Sequence, residues 1–254
     1  MGSRPRPVFV IAHPGHELRV HGWVERERPL VLVVTDGSGL QGRPRLAATA
    51  RLLAKLGAEP GPVFGRLPDP ALYKALLSGD HALFMGLADE IADTLVRTGA
   101  TLVAGDALEG FNPSHDVCRM LLDTAVSHAE ARTGRAIANN AILLAGAPDS
   151  ESAGGVVLVL DDAELERKRA AALAYEEMRS EVEPALARHG LEAYRREVLV
   201  PIRPFDWTPA EQPPFYERYG EGRVAAGRYR CVIRYREHLA PLGDALATAH
   251  ACAP

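Results

Sequence analysis

Cysteine is scarce in this 254-residue chain, and the three that occur, Cys118, Cys231 and Cys252, lie far apart. An odd, dispersed set offers neither a disulfide framework nor a clustered thiolate metal site. Long apolar runs are missing too: none approaches the roughly 18 residues that span a bilayer, so no membrane association is expected. The opening stretch MGSRPRPVFVIAHPGHE lacks both a long apolar segment and a small-residue cleavage site. No secretory signal is therefore expected, and the cytoplasm is the expected location. Neither sign of charge dominates. With 29 Lys and Arg against 33 Asp and Glu the formal net charge is -4, which leaves no electrostatic footprint for nucleic acid. A glycine/serine linker and an internal repeat are likewise absent.

What is present is 47% hydrophobic and 24% charged residues, the make-up of an ordinary soluble globular chain with one large domain or two small ones. Apolar runs over 7–13, 30–35, 62–67, 101–104, 136–145 and 156–160 read as strands. Helical spacing covers 16–28, then 44–56 with Pro44 in the first turn and Gly57 closing it. It recurs over 70–97, as two helices broken near 78–80, and over 116–132 and 162–179. This alternation predicts an α/β fold, Rossmann-like and doubly wound, with a mostly parallel sheet. The simplest organisation is a single domain over 1–254, with a core of about 5–180 and a C-terminal extension of about 181–254.

In an open parallel sheet, ligands bind outside the carboxyl ends of the strands. Three segments fall there: His13-Pro14-Gly15-His16-Glu17, the glycine-rich loop over 36–42, and the loop over 106–116. A catalytic zinc takes three protein ligands and keeps one position open. His13 and His16 flank a turn, and His115 arrives from a neighbouring strand end, so the three are candidates for one zinc or another divalent transition metal. Taken singly, each reads equally as a solvated or structural histidine, as His81, His128, His189, His238 and His250 do. Gly37-x-Gly39-x-x-Gly42 matches the dinucleotide fingerprint only in outline. Pro44 puts the helix start beyond all three glycines, and the loop follows the second strand rather than the first, so no dinucleotide is expected. Arg43 and Arg45, with Asp106, are expected to line a cleft for a small-molecule substrate. The aromatic stretch over 213–220 either walls that cleft or packs on the core or between copies of the chain, and a homo-oligomer is compatible with the sequence.

Ala12-His13-Pro14-Gly15-His16-Glu17 and Asn112-Pro113-Ser114-His115 resemble the two loop motifs, A-H-P-D-D-E and H-P-D-H, of the PIG-L/LmbE-like zinc-dependent N-deacetylases. Lys168, Ala171 and Tyr175 look similar to a later helix of that family. The resemblance covers roughly residues 7–180. It implies zinc held by His13, His16 and His115 and hydrolysis of an amide on a small, sugar-containing molecule of the N-acetylglucosaminyl type. The departures carry chemistry. The family's aspartate ligand is here His16, its general base is Gly15, its carbonyl-polarising histidine is Asn112, and that histidine's aspartate companion is Ser114. Three neutral imidazoles leave the full +2 charge on zinc, which lessens the need for a carboxylate base. Asn112 can donate a hydrogen bond to a developing oxyanion. Glu17 and Asp36 are candidate replacement bases, followed by Asp106, Glu109 and Asp116, although each reads equally as a turn former or helix-start charge. Gly15 is expected to leave an open volume that an aspartate would refill, with a gain in deacetylase activity. The leading reading is a metal-dependent amide hydrolase. The alternative is a relative without deacetylase activity, either a binding protein or a biosynthetic enzyme that uses the metal for another reaction.

Overall fold

Val8–Ile11 (β1) and Leu30–Thr35 (β2) are almost wholly Val, Ile, Leu and Phe, as befits strands covered on both faces. In the computed structural model, which describes residues 5–39, 42–145 and 155–251, they pair in parallel. Between them a 3-10 turn, His16–Val20, leads into His21–Glu27 (α1), where the spacing predicts one helix over 16–28. The first turn is tightened because the Leu18 N–H bonds to the Gly15 carbonyl at 3.2 Å. The chain continues through Leu46–Leu56 (α2), Glu59–Leu67 (β3), Asp69–Ser78 (α3), His81–Thr98 (α4), Leu102–Asp106 (β4), Pro113–Thr133 (α5) and Ala138–Ile142 (β5). Val156–Val159 (β6), Asp162–Ala174 (α6), Arg179–His189 (α7), Arg196–Pro201 (β7), Phe215–Ala225 (α8) and Ala240–Ala251 (α9) complete it.

Among the described residues, seven strands lie in the order β3-β2-β1-β4-β5-β7-β6. β1 to β5 are parallel, and β7 runs antiparallel to both its neighbours. Alternation along β1 divides the core. Val8 and Val10 pack with Leu72, Phe84, Ile91 and Leu121, while Phe9 and Ile11 pack with Trp23, Leu53 and Tyr175 on the other face. Helices thus cover both faces, which makes the fold Rossmann-like and doubly wound, as the alternation predicts. β1 lies between β2 and β4, so the strand order reverses beside it, and the crevice outside the carboxyl ends of β1 and β4 is the place for a ligand.

The expected division near residue 180 is not kept. β7 enters the sheet between β5 and β6, and Leu242 and Leu246 of α9 are fully buried in the core cluster that contains α5. Trp207 Nε1 also donates to Asp123 Oδ2 of α5 at 2.8 Å. The helix expected over 162–179 starts with a capping box of Asp161 and Glu164 but stops at Ala174, after which Tyr175 turns into the core. Among the described residues, no helix is long and apolar enough to cross a membrane. Cys252, the side chain of His250, and residues 40 and 41 of the glycine-rich loop lie outside the described residues.

Candidate active site

Asn112 caps α5: its Oδ1 accepts from the Ser114 N–H at 3.0 Å. Pro113 fills the first helical position, where its missing N–H costs nothing. His115 thereby sits in the first turn of α5, against the loop that leaves β1. The ring centres of His13 and His16 are 5.4 Å apart, those of His13 and His115 5.3 Å, and those of His16 and His115 4.6 Å. Three imidazoles around one tetrahedral zinc have ring centres roughly 5 Å apart. The spacing suits a metal, and so does the all-imidazole donor set.

The ring nitrogens have partners of their own. His13 Nδ1 lies 2.7 Å from Thr35 Oγ1 and 3.2 Å from Asp69 Oδ1, and its Nε2 lies 2.8 Å from Ser114 Oγ. His16 Nδ1 lies 3.0 and 2.9 Å from the two oxygens of Asp106. His115 Nδ1 is buried without a hydrogen-bond partner, an orphan that a ligand would satisfy. As the side chains stand, no group of three or more His, Cys, Asp or Glu among the described residues has metal-holding geometry.

Burial drags His16 down, but the charge and hydrogen bond of Asp106 outweigh it and raise its pKa. Burial, then His16 and His13, push His115 well below the ordinary histidine range, so it stays neutral. Burial would raise Asp69, yet His13, Thr35 and the Gly39 N–H hold its carboxyl well below the usual range. Sequence does not single out Asp69 and Thr35. Asp69 reads there only as a helix start, and Thr35 only as the end of a strand.

The expected bases occupy other roles. Glu17 is fully buried beneath the turn, its Oε2 accepting from the Gly15 N–H at 2.8 Å and its Oε1 from Thr49 Oγ1 at 2.7 Å. Asp36 accepts from the Ser38 and Asp69 N–H groups at 2.9 and 3.3 Å. Asp106, expected at the substrate, is fully buried; it accepts from the Ala12 N–H at 2.8 Å and orients His16. Glu109 binds the Leu144 and Ala145 N–H groups, and Asp116 those of Glu109 and Gly110. Burial pushes the Asp116 carboxyl up to about 7. All five therefore engage backbone amides, which is how carboxylates shape loops.

Arg43 is exposed on the glycine-rich loop. Arg45 instead turns onto Met178, its Nη1 2.7 Å from the sulfur. α2 begins at Leu46, beyond all three glycines. Gly15 corrects another expectation. Its φ is +110°, and a Cβ there would lie 2.9 Å from Met178 Sδ and 3.1 Å from Cε and Cγ. The volume read as open is filled by Met178, which arrives from the 3-10 turn Glu176–Met178 after α6.

No protein-family model matches the chain, and no curated protein does. Similar solved structures include two that match over most of the chain. The conserved protein TT1542 from Thermus thermophilus aligns at a TM-score of 0.56 and 19% identity, over 82% of this chain and 99% of its own. The antimicrobial reagent A40926 pseudoaglycone deacetylase Dbv21 aligns at 0.53 and 19% identity, over 80% and 98%. What is shared is the fold.

Proposed function

We propose that this chain is a metal-dependent hydrolase that cleaves an amide of a small, sugar-containing molecule, in the manner of the PIG-L/LmbE-like deacetylases. The observation that carries the reading is the meeting of His13, His16 and His115 at the strand-order reversal, with buried Asp69 and Asp106 behind the first two. Histidine ligands of metals characteristically donate their second ring N–H to such groups. The two loop motifs add support, as does the likeness of the fold to a protein described as a deacetylase.

Zinc held by these rings, or another divalent transition metal, would supply Lewis acidity and make water ionise near neutral pH. The remaining work falls to the chain's own residues. Asp106 fixes the tautomer of His16, and Asp69 with Thr35 fixes that of His13, whose Nε2 would exchange Ser114 Oγ for the metal. Asn112 Oδ1 is taken by Ser114 and Tyr73, so its Nδ2 end is the one offered to a developing oxyanion. Glu17 and Asp36 are positioning residues for the two loops. Without a carboxylate at Gly15, turnover of simple N-acetylglucosamine compounds is expected to be about 10²–10⁴ slower than with a positioned base.

The test is metal content and amide turnover of purified protein, before and after chelation and reconstitution. His115→Ala and Asp106→Ala should each lower metal occupancy, the latter about 10- to 100-fold in affinity. A folded wild type that takes up no metal would sink the reading.

One observation favours a second reading. Ser114 Oγ, His13 and Asp69 form a hydrogen-bonded series at 2.8 and 3.2 Å, the arrangement of a serine nucleophile with its base and orienting acid. Against it, Ser114 is 1% exposed and its hydroxyl lies 2.6 Å from Asn112 Oδ1. Fluorophosphonate labelling of Ser114 in chelator-treated protein would favour it over the metal.

A further inference from the structure

Aromatic residues make up only 6% of the chain, yet several exposed ones gather beside Asn112. Phe111, its chain neighbour, is 47% exposed and stacks on Phe215, with ring centres 5.0 Å apart and planes within 6°. Phe215, 41% exposed, stacks in turn on Tyr219, 48% exposed, at 6.0 Å and 27°. The Arg223 guanidinium lies over Tyr219 at 5.8 Å and over Tyr229 at 5.5 Å. The Tyr73 hydroxyl donates to Asn112 Oδ1 at 3.4 Å.

The arrangement is built into α8. Phe215, Tyr219 and Arg223 recur every fourth residue and share one face of the helix. Tyr216 and Gly220 face inward, and the Tyr216 N–H binds the Gly110 carbonyl at 3.3 Å, which ties α8 to the loop that carries Phe111. Rings stacked in register on a fixed helix still leave much of their apolar surface in water. Such contiguous exposed apolar surface marks a place where something else binds.

We propose that this series is a subsite for a flat aromatic ring system carried by the substrate, beside the amide addressed by Asn112. The proposal rests on the histidine cluster being the hydrolytic site. Near-parallel rings suit another flat ring that continues the stack, and the guanidinium at the far end adds cation–π attraction. An alkyl chain, by contrast, gains most from an enclosing groove.

Calorimetric titration with para-nitrophenyl and methyl N-acetyl-β-glucosaminide tests it. The aryl glycoside should bind about tenfold more tightly. That ratio should collapse in Phe215→Ala, and also in Phe111→Leu, which keeps apolar bulk but loses flatness; Phe215→Tyr should retain it. Equal affinities, an aryl advantage that survives both variants, or no binding of either probe would overturn the subsite. Hydrolysis is read separately. Aryl preference without turnover keeps the subsite and removes the hydrolase reading, whereas turnover without aryl preference does the reverse.

Discussion

At Gly15 two obstacles stand in the way of restoring a carboxylate. The backbone is in a region that L side chains rarely adopt, and Met178 fills the space beyond. Gly15→Asp is therefore expected to lose about 1–3 kcal/mol in urea unfolding. Adding Met178→Ala should recover part of that loss, because it relieves the contact but not the torsion. A Gly15→Asp protein that unfolds at the wild-type urea concentration would show that the methionine does not fill the site. The residues around this position differ in how far sequence exposes them. His13, His16, Asn112 and His115 are legible because each lies in a short motif at a strand end. Thr35, Asp69, Tyr73 and Met178 come from three other segments, β2, α3 and the turn after α6, and nothing in those segments distinguishes them from ordinary strand, helix or turn residues. Only the folded chain shows that Asp106 lies beneath His16 rather than facing a substrate.

Among the elements, α6 carries a buried lysine that ties it to its neighbours. Lys168 Nζ donates to the Arg19 and Tyr194 carbonyls at 2.9 and 3.1 Å and to Glu197 Oε1 at 2.8 Å. Glu197 in turn accepts from the Gly22 and Trp23 N–H groups at 2.9 and 2.8 Å, at the start of α1. Lys168→Met leaves that buried carboxylate without its cation and is expected to cost about 3–5 kcal/mol in urea unfolding at neutral pH. Burial lowers the Lys168 pKa, and Glu197 offsets this only in part. The unfolded chain thus binds the proton more readily, and wild-type stability rises with pH from the lowered folded pKa towards the unfolded value of 10.5. The advantage of wild type over Lys168→Met should therefore widen as the pH is raised from neutral towards 10.5; a narrowing gap would contradict the assigned direction. β7, which carries Glu197, is the strand that sequence does not reveal. Its Arg196-Glu197 start and Pro201 end interrupt the apolar pattern, and its pairing comes wholly from β5 and β6. The parallel strands β1 and β2 are easier to recognise because burial on both faces makes them continuous apolar runs.

For the molecule as a whole, the segment after residue 201 belongs to the main cooperative unit, because α9 and Trp207 pack on α5. Leu246→Ala is expected to cost about 2–5 kcal/mol and to lower the temperature of a single calorimetric transition. A separate early transition confined to that segment would mean that it folds as an independent unit. The position of β7 also bears on how the chain is made. β6 leaves the ribosome first, and the strand that joins it to the rest of the sheet follows about forty residues later, an interval of roughly 2–8 s at ordinary elongation rates. Until then Val156, Val157 and Val159, all part-exposed even in the finished fold, belong to a strand with both edges open, and neighbouring nascent chains offer competing partners. Codon usage between these two strands leaves the folded protein unchanged, yet it should govern how much of that protein escapes aggregation.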